Sequence, residues 1–324
     1  MRRFTVAILV VAMAGLFIGG PALNAKRKTK KEKQSAKIED LVRSGQYQKA
    51  IDLAKKFEEK GEVTEGLYID LGVAYYQLKD YNNAVAAFEK AEEQNPFGTK
   101  AILYEASCYH QLKNTDKVIE AYRRALELDP GLDDAHINLG RLYEEQRKPE
   151  LAMKEYEAVY ENNPDRKGLA YSMGVLSYSQ GHFDKAESFF EKAAASSPGD
   201  SQVFLALGQN QLKLKDYGKA VVSLEKFLKL TDQAALKPAV LRQIAVCYEK
   251  LNKYDKALAT YDRILALRPN YAKALLGKGN ALINLKEYSK ARSVLKSYLE
   301  HSQDSAKKKE VEKTLKQLNK VGAK

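Results

Sequence analysis

Small, hydrophobic and proline positions recur along this chain with a period of 34 residues. The spacing is plainest in a row of prolines, Pro96, Pro130, Pro164 and Pro198. One slot of the same frame is filled by glycine at Gly72, Gly140, Gly174, Gly208 and, after a three-residue insertion, Gly279. A second slot is filled by alanine at Ala50, Ala84, Ala152, Ala186, Ala220, Ala257 and Ala291. A fixed period of this length indicates an array in which each repeat is one supersecondary unit.

Each period predicts a helix, a turn and a second helix. Positions are counted from the start of each repeat, as in the repeat that spans residues 65–98. The small residue at the eighth position (Gly72) lets the first helix approach its partner closely, and the alanine at the twentieth position (Ala84) does the same from the second helix. Tyr and Phe side chains fill the space between them. The proline ends the second helix, because it lacks an N–H donor and restricts the residue before it. One such unit cannot bury its hydrophobic faces alone, so its stability depends on stacking against neighbouring units.

Residues 65–98 carry the most complete version of the pattern, with Tyr68, Leu71, Gly72, Tyr75, Ala84, Phe88, Ala91 and Pro96. This pattern resembles the tetratricopeptide repeat (TPR) family, and the resemblance extends over eight units that cover 272 of the 324 residues. It implies an all-α fold, a right-handed superhelical α-solenoid of about eight helix-turn-helix units. A C-terminal capping helix is expected as well, because apolar residues recur there at three- and four-residue spacing. They are Val311, Leu315, Leu318 and Val321.

The N-terminus has the layout of an export signal. Arg2 and Arg3 form a short basic segment, residues 4–20 carry no charge, and a proline and small residues follow. We predict cleavage after Ala25, with Ala22 as the alternative. The rival interpretation is an uncleaved membrane anchor, since 17 uncharged residues reach the lower limit for a spanning helix. The lysine-rich segment that follows would then keep the rest of the chain in the cytoplasm.

The predicted organisation has four parts. Residues 1–25 are a signal peptide or membrane anchor, 26–37 a basic linker, 38–305 the TPR array, and 306–324 a basic capping helix and tail. We expect the chain to be exported, to the periplasm or another part of the cell envelope. Under the alternative, residues 4–20 anchor it in a membrane.

The formal charge of +12 is concentrated at the two ends of the chain. Residues 26–37 and 306–324 are strongly basic, whereas residues 38–305 hold 38 basic and 39 acidic side chains. The lysine runs have no interleaved aromatic residues on which bases could stack, so nucleic acid is not an expected partner. These ends are either solvated tails or contacts with an anionic surface such as lipid headgroups.

The array itself is divided in charge. Residues 38–166 hold 17 basic and 26 acidic side chains, and residues 167–305 hold 21 and 13. Complementary potentials of this kind steer the encounter of two proteins. Head-to-tail self-association is therefore an open alternative to a charge asymmetry without function.

The sequence contains no recognisable arrangement for catalysis. The four histidines fall in four different repeats, without other ligands at metal-binding spacing. Cys108 and Cys247 both fall at the tenth position of a repeat, which predicts two buried, unpaired thiols. A phosphate-binding glycine loop and a nucleophile elbow are both absent from the sequence. We therefore expect a protein that is not an enzyme and uses no metal and no cofactor.

In TPR proteins fixed positions of each first helix line a groove, and the resemblance places the corresponding residues here. In residues 65–98 the groove positions five, nine and twelve are filled by Ile69, Val73 and Tyr76. The side chains expected to bind a partner are Tyr76, His110, Arg141, Tyr178, Gln209, Leu212, Asn280 and Ile283. Because several of these are apolar where polar residues would be ordinary, the groove is predicted to hold an extended or helical peptide. The alternative is that they serve packing between repeats.

Two functions remain open from the sequence. The first is a non-enzymatic protein–protein interaction scaffold of the cell envelope, which binds segments of one or more partner proteins in its groove. The second is a surface-associated protein held on anionic lipid or polymer by its basic termini. A membrane-anchored form with a cytoplasm-facing array is a variant of either.

Overall fold

The structure is a computed structural model that describes the backbone of residues 30–321 and the side chains of residues 35–320. Within this range every regular element is helical, with seventeen α-helices and one short 3₁₀ helix. The predicted export signal or anchor at residues 1–25, and the first part of the predicted basic linker, lie outside the described residues. None of the described helices is both long and apolar enough to cross a membrane.

The helices divide into two compact units, one on each side of the boundary between Asn163 and Pro164. Unit 1 contains α1 (Lys30–Arg43), α2 (Tyr47–Glu58), α3 (Glu65–Gln77), α4 (Tyr81–Gln94), α5 (Thr99–Gln111), α6 (Thr115–Leu128), α7 (Asp133–Glu145) and α8 (Pro149–Asn162). Unit 2 contains α9 (Leu169–Ser179), α10 (Phe183–Ser196), α11 (Ser201–Lys213), α12 (Tyr217–Leu230), the 3₁₀ helix (Ala234–Leu236), α13 (Lys237–Lys250), α14 (Tyr254–Leu267), α15 (Ala272–Asn284), α16 (Tyr288–His301) and α17 (Ser305–Val321).

Each unit is a stack of helix pairs of the α-solenoid type. The eight predicted repeats correspond one to one with the pairs from α1–α2 to α15–α16. Within a unit, each first helix packs against the second helix of its own repeat, and that second helix packs against the next first helix. The three-residue insertion falls at the 3₁₀ helix. The predicted all-α fold built from helix-turn-helix repeats is therefore confirmed.

The glycine of the eighth position lies directly beneath a large side chain of the second helix. A Cβ atom built on Gly72 would lie 2.5 Å from the ring of Phe88, and one built on Gly140 would lie 2.5 Å from the ring of Tyr156. The corresponding glycines of unit 2 are Gly174, Gly208 and Gly279. The first helix can approach this closely only where it carries no side chain, which explains the small residue in the sequence pattern.

A residue in the left-handed region follows every first helix. The fifteenth position of each repeat has a positive φ and is filled by Gly45, Lys79, Lys113, Arg147, Gly181, Lys215, Asn252 and Lys286. At Lys79 the backbone N–H donates to the carbonyl of Tyr76 at 2.9 Å. The N–H of the next residue, Asp80, donates to the carbonyl of Tyr75 at 2.9 Å. These bonds satisfy carbonyl groups that the end of a helix leaves without partners, and they turn the chain into the second helix.

Helix α17 covers the C-terminal end of unit 2. Val311 and Leu318 are buried and Leu315 is half-buried, in a cluster that includes Tyr298. Arg292 of α16 donates to the carbonyl oxygen of Leu318 at 3.2 Å. Three members of the predicted apolar stripe therefore form the packing face, and the fourth lies beyond the described side chains.

Helix α1 begins at Lys30, so the later part of the stretch predicted as a linker (residues 26–37) is helical. It packs against α2 of its own repeat and also along α3. Ile38 is fully buried in the hydrophobic cluster that includes Ile69 and Val73. The first repeat departs most from the sequence pattern in its first helix, yet it is a complete helix pair.

Candidate partner-binding groove

In unit 1 the predicted groove residues lie on the first helices α3, α5 and α7. Tyr76, His110 and Arg141 are half-buried, so each presents part of its side chain to solvent. The ring of Tyr76 meets that of Tyr81 edge-on, with 5.3 Å between the centroids. The tyrosine of position twelve therefore packs onto the aromatic residue that begins the second helix of its own repeat. Only the remaining part of the ring can contact a partner.

In unit 2 the same arrangement recurs. The ring of Tyr178 meets that of Phe183 edge-on, at 5.4 Å between the centroids. The other predicted residues of this unit are Gln209, Leu212 and Ile283, which are half-buried, and Asn280, which is exposed. Val175, one turn before Tyr178 at position nine, has 38 % of its surface exposed. This part of the first-helix surface thus offers both apolar and polar side chains to solvent.

At the N-terminal end of unit 1 the groove is closed. Ile69 and Val73 are only 6 % and 5 % exposed, and α1 packs along the helix that carries them. In the later repeats the same two positions are half-buried or exposed, as at Val175. The prediction that Ile69 and Val73 line an open groove is therefore wrong. Tyr76 is the first residue of this row that reaches solvent.

The missing side chain of Gly66 leaves room for α1 at this closure. A Cβ atom built on Gly66 would lie 3.0 Å from Ser35 Oγ of α1. That distance is tighter than ordinary van der Waals contact, so a side chain at position two would push the serine hydroxyl aside by a few tenths of an ångström. The sequence pattern did not reveal the contact, since position two varies freely among the repeats.

Asp70 is a charged residue of this seam that sequence reasoning missed. The pKa of its carboxyl is raised to about 7, mainly by burial and secondly by the nearby Glu39 of α1. Lys100 and Arg43 act in the opposite direction and do not compensate. An acid beside a second acid in a partly buried seam weakens the packing of the two helices when both are ionised.

A second acidic cluster is buried between α4, α5 and α6. Glu105 is 1 % exposed, and its pKa is raised to about 8, first by burial and then by the neighbouring carboxylate of Glu92. Arg124 forms ion pairs with both carboxylates, at 3.4 Å to Glu105. One oxygen of each carboxylate has no hydrogen-bond partner among the residues that the structure describes. None of the three side chains occupies a groove position, so the cluster joins repeats rather than lining the binding surface.

A cavity of about 420 Å³ opens between α6 and the C-terminal end of α7. Three acidic and three basic side chains form its wall, so the cavity offers no net charge to a ligand. Arg123 in this wall donates to the hydroxyl of Tyr143 at 2.6 Å. The wall contains none of the predicted groove residues.

The described residues contain neither a cluster of metal ligands nor an exposed thiol. Among them, no three His, Cys, Asp or Glu side chains come together as metal ligands would. Cys108 and Cys247 are both free and buried. Burial raises the pKa of their thiols to about 12 and about 11. Such thiols stay protonated at neutral pH and react poorly.

Family models match most of the helical region. A tetratricopeptide repeat model matches residues 36–99, 69–133 and 137–201, and a second model of this repeat matches residues 249–309. Residues 179–264 match a model described as anaphase-promoting complex, cyclosome, subunit 3.

Two curated proteins are similar to parts of the chain. Anaphase-promoting complex subunit 3 of Schizosaccharomyces pombe is 28 % identical over 110 residues, which are 33 % of this chain and 16 % of that protein. Anaphase-promoting complex subunit 6 of Arabidopsis thaliana is 36 % identical over 96 residues, which are 28 % of this chain and 18 % of that protein. The chain therefore spans less than a fifth of the length of these two relatives.

A solved structure shares the fold. The C-terminal part of a TPR repeat-containing protein from Cytophaga hutchinsonii superimposes with a TM-score of 0.61 at 21 % identity, over 75 % of this chain and 98 % of that chain. At this identity the similarity shows the fold alone. The family models, by contrast, cover more than half of the sequence. The chain belongs to the tetratricopeptide repeat family, whose members generally act as scaffolds for interactions between proteins.

Proposed function

We propose that this protein is a non-enzymatic scaffold of the cell envelope that holds a segment of a partner protein on its groove face. In each unit, the groove face is the surface formed by positions five, nine and twelve of the first helices. The observation that carries the proposal is the exposure of apolar side chains on this face, above all Val175 with 38 %, beside the half-buried Tyr178. Apolar surface interspersed with polar groups such as Asn280 fits a peptide with apolar anchors.

The groove face is tested by placing the same substitution on two surfaces of unit 2. Val175→Glu adds a charge to the groove face, and Val222→Glu adds one to α12, where Val222 is 71 % exposed. Both side chains are exposed, so each variant should keep its stability within about 0.5 kcal/mol of the wild type. Partners are captured by crosslinking in native cells and quantified by mass spectrometry.

The two variants should then differ in what they capture. The wild type and Val222→Glu should yield the same proteins in the same amounts. Val175→Glu should capture roughly tenfold less of these proteins, because a charge in an apolar contact leaves an unpaired group at the centre of the interface. Equal capture by both variants would show that the groove face does not hold the partner.

Placement in the cell envelope is part of the proposal and is supported by the sequence of residues 1–25. The alternative is a chain anchored by residues 4–20, with its array facing the cytoplasm. Sequencing the N-terminus of protein purified from native cells separates the two. A chain that starts at Lys26 or Leu23 supports export with cleavage, and an intact Met1 favours the anchor.

A second candidate function, association with an anionic lipid surface, is favoured by the lysines of α17. They form a stripe of exposed residues at spacings of four, three and four, namely Lys309, Lys313, Lys316 and Lys320. The stripe lies opposite the packing face that contains Val311 and Leu318. Two acids adjoin the stripe in sequence: Glu310, which is paired with Lys307, and the exposed Glu312. Each lysine near an anionic surface contributes on the order of 1 kcal/mol.

Vesicle sedimentation tests this candidate. The full chain should sediment with phosphatidylglycerol vesicles more than with phosphatidylcholine vesicles, and high salt should release it. Replacing the four stripe lysines by glutamine should weaken binding by at least roughly tenfold. The matched control removes four exposed charges from α2 and the turn after it, at Lys49, Lys55, Lys56 and Lys60. Binding that ignores lipid charge, or that both variants weaken equally, contradicts the candidate.

A second copy of the chain is a further proposed partner, since residues 38–166 are acidic and residues 167–305 basic. Attraction between opposite halves predicts head-to-tail association that weakens as salt is added. Sedimentation velocity at low and high salt measures it. A chain that stays monomeric at low salt contradicts the proposal.

A further inference from the structure

Helix α1 lies along α3 at the groove positions of the second repeat. A Cβ atom built on Gly66 of α3 would lie 3.0 Å from Ser35 Oγ of α1. Four residues further along each helix, Glu39 of α1 lies near enough to Asp70 of α3 to raise its pKa. The two helices therefore run side by side in the same direction. The next first helix, α5, does not approach α3 in this way, and its position two is Lys100.

This seam buries apolar side chains that the groove face exposes elsewhere. On the side of α1, Val42 packs against the hydrophobic cluster, on the same helix face as Ser35 and Glu39. On the side of α3 the cluster contains Ile69 and Val73. The surface beneath α1 is therefore a stretch of groove face that already holds an amphipathic helix.

Charged groups face Asp70 from both neighbouring helices. Glu39 and Arg43 approach it from α1, and Lys100 and Tyr104 approach it from α5. Arg43 donates to Glu39 at 2.6 Å, so the arginine on this side is shared between two acids. The side chains of Glu39 and Arg43 are 47 % and 67 % exposed, so their ion pair is screened by solvent and contributes little to the packing of the seam. The packing of α1 on α3 consequently depends on its apolar residues.

We propose that the face of α3 beneath α1 is itself a partner-binding site, that α1 is its resident occupant, and that the partner is an amphipathic helix which displaces α1. The inference rests on the proposed function, because it assumes that the groove face binds protein segments, and it names the kind of segment. Helix-in-groove recognition of this kind depends on apolar anchors at spacings of three and four residues.

The contacts of α1 define what the partner helix must carry. Its apolar anchor is Val42, which shares a helix face with Ser35 and Glu39. A small residue, Ser35, stands opposite Gly66, and a cation, Arg43, stands near Asp70. A partner with the same three features, but without an acid in the place of Glu39, binds this face with one repulsion fewer. That difference favours the partner over α1.

Displacement is feasible because α1 is short and tethered. The described part of α1 has 14 residues, a length that is marginal for an isolated helix in water, so packing contributes to keeping it helical. The turn at residues 44–46 joins it to α2 and holds it near the site at an effective concentration on the order of millimolar. The partner must therefore bind the open face more tightly than α1 does, and α1 limits binding to such segments.

The decisive experiment locks α1 onto α3. The short distance from Ser35 Oγ to a Cβ atom at Gly66 suits a disulfide in the variant Ser35→Cys/Gly66→Cys. The native Cys108 and Cys247 are buried and do not compete. The probe is a fluorescein-labelled peptide with the sequence of residues 30–46 and the substitution Glu39→Gln, which removes the acid near Asp70. Its binding to the full chain is measured by fluorescence anisotropy before and after oxidation of the variant.

Oxidation should weaken peptide binding to the double variant at least tenfold and leave binding to the single variant Ser35→Cys unchanged. The reduced double variant and the single variant should both bind the peptide saturably. Equal binding by the reduced and oxidised double variant would overturn the proposal. So would a complete lack of binding by the reduced protein and the single variant, because α1 would then not be displaceable.

A second variant acts in the opposite direction. Val42→Glu removes the apolar contact of α1 in the seam and opens the face, so the affinity for the peptide should rise roughly tenfold or more. An unchanged affinity would overturn the proposal even where the disulfide variant folds poorly. Capture of native partners by unit 2 is measured separately with Val175→Glu. If the oxidised variant Ser35→Cys/Gly66→Cys still captures these partners, the proposed function stands and only the site on α3 has been blocked.

Discussion

The hydroxyl of Tyr156 donates a hydrogen bond of 2.7 Å to the carboxylate of Glu144, twelve residues earlier in the chain. In unit 2 Tyr261 donates to Glu249 at 3.0 Å over the same interval. In each pair a buried tyrosine of the second helix meets a half-buried acid at position twelve of the first helix. Burial raises the pKa of Glu144 and the hydrogen bond lowers it, so the tyrosine offsets part of the cost of burying this acid.

Removal of this hydroxyl should destabilise the repeat. Tyr156→Phe keeps the ring but leaves Glu144 without its donor, so the free energy of unfolding should fall by about 1–3 kcal/mol. Tyr261→Phe should behave alike. Tyr254→Phe is the control, because its hydroxyl bonds Asn252 at the surface, and we expect a change below about 0.5 kcal/mol. Urea denaturation followed by circular dichroism measures all three, and full stability of Tyr156→Phe would contradict the role assigned to the pair.

Replacement by alanine should change the free energy of unfolding in opposite directions at two helical glycines. Gly72→Ala adds a Cβ atom 2.5 Å from the ring of Phe88, so the second helix must shift and the free energy of unfolding should fall by about 1–3 kcal/mol. Gly218 lies in α12, and a Cβ atom built on it would lie 3.6 Å from its nearest neighbour, Asp216 Oδ1. Gly218→Ala should therefore gain roughly 0.5–1 kcal/mol of helix stability. Thermal denaturation of both variants checks the pair, and a stabilised Gly72→Ala would show that the helices separate freely.

The left-handed fifteenth position also predicts opposite effects in different repeats. Lys113 has a φ of 58°, a conformation that costs an L residue about 1–2 kcal/mol. Lys113→Gly removes this cost and adds roughly 0.5–1 kcal/mol of unfolded-state entropy, so a net gain of about 0.5 kcal/mol is expected. Gly181 has a φ of 79°, and Gly181→Ala should lose about 1 kcal/mol. Urea midpoints that move in the same direction for both variants would contradict this account.

The helix pairs are predictable from the sequence because the contacts that form them are the same in every repeat. Gly72 is small for the same reason as Gly140, namely the ring that lies over it. Repetition makes such a requirement visible in one sequence without any relative. The packing face of α17 is equally visible, since Val311 and Leu318 stand on one side of a helix that is otherwise lysine-rich.

The sequence does not predict features that differ from repeat to repeat, either in the type of residue at a position or in the contact that the residue makes. The left-handed fifteenth position is filled by Lys79 and Asn252 in two repeats and by glycine in others. The residue type at this position therefore does not signal the backbone conformation. The closure of the groove at α1 involves Gly66 and Ser35, which meet in the first two repeats through a contact that the pattern does not contain. Part of the ring of the predicted groove residue Tyr76 packs on Tyr81, so only the rest of it is open to a partner. The sequence pattern does not show this ring contact.

Glu105 makes the stability of unit 1 depend on pH. Its pKa is raised from 4.5 to about 8 in the folded protein, first by burial and then by Glu92. Between these two values the folded state holds a proton that the unfolded chain has released. The free energy of unfolding should therefore decrease as the pH rises from about 4.5 to about 8, and this group should add no further change above that range.

Glu105→Gln should remove this dependence, because the amide keeps the shape of the side chain and cannot ionise. Near pH 5 the variant should match the wild type closely. Near pH 9 it should exceed the wild type by roughly 1–3 kcal/mol, since the wild type then holds two ionised carboxylates beside Arg124. Urea denaturation at a series of pH values measures the difference, with Glu120→Gln on the exposed face of α6 as the control. A difference between Glu105→Gln and the wild type that stays constant with pH would show that Glu105 is already ionised at pH 5, and that Arg124 compensates for both acids.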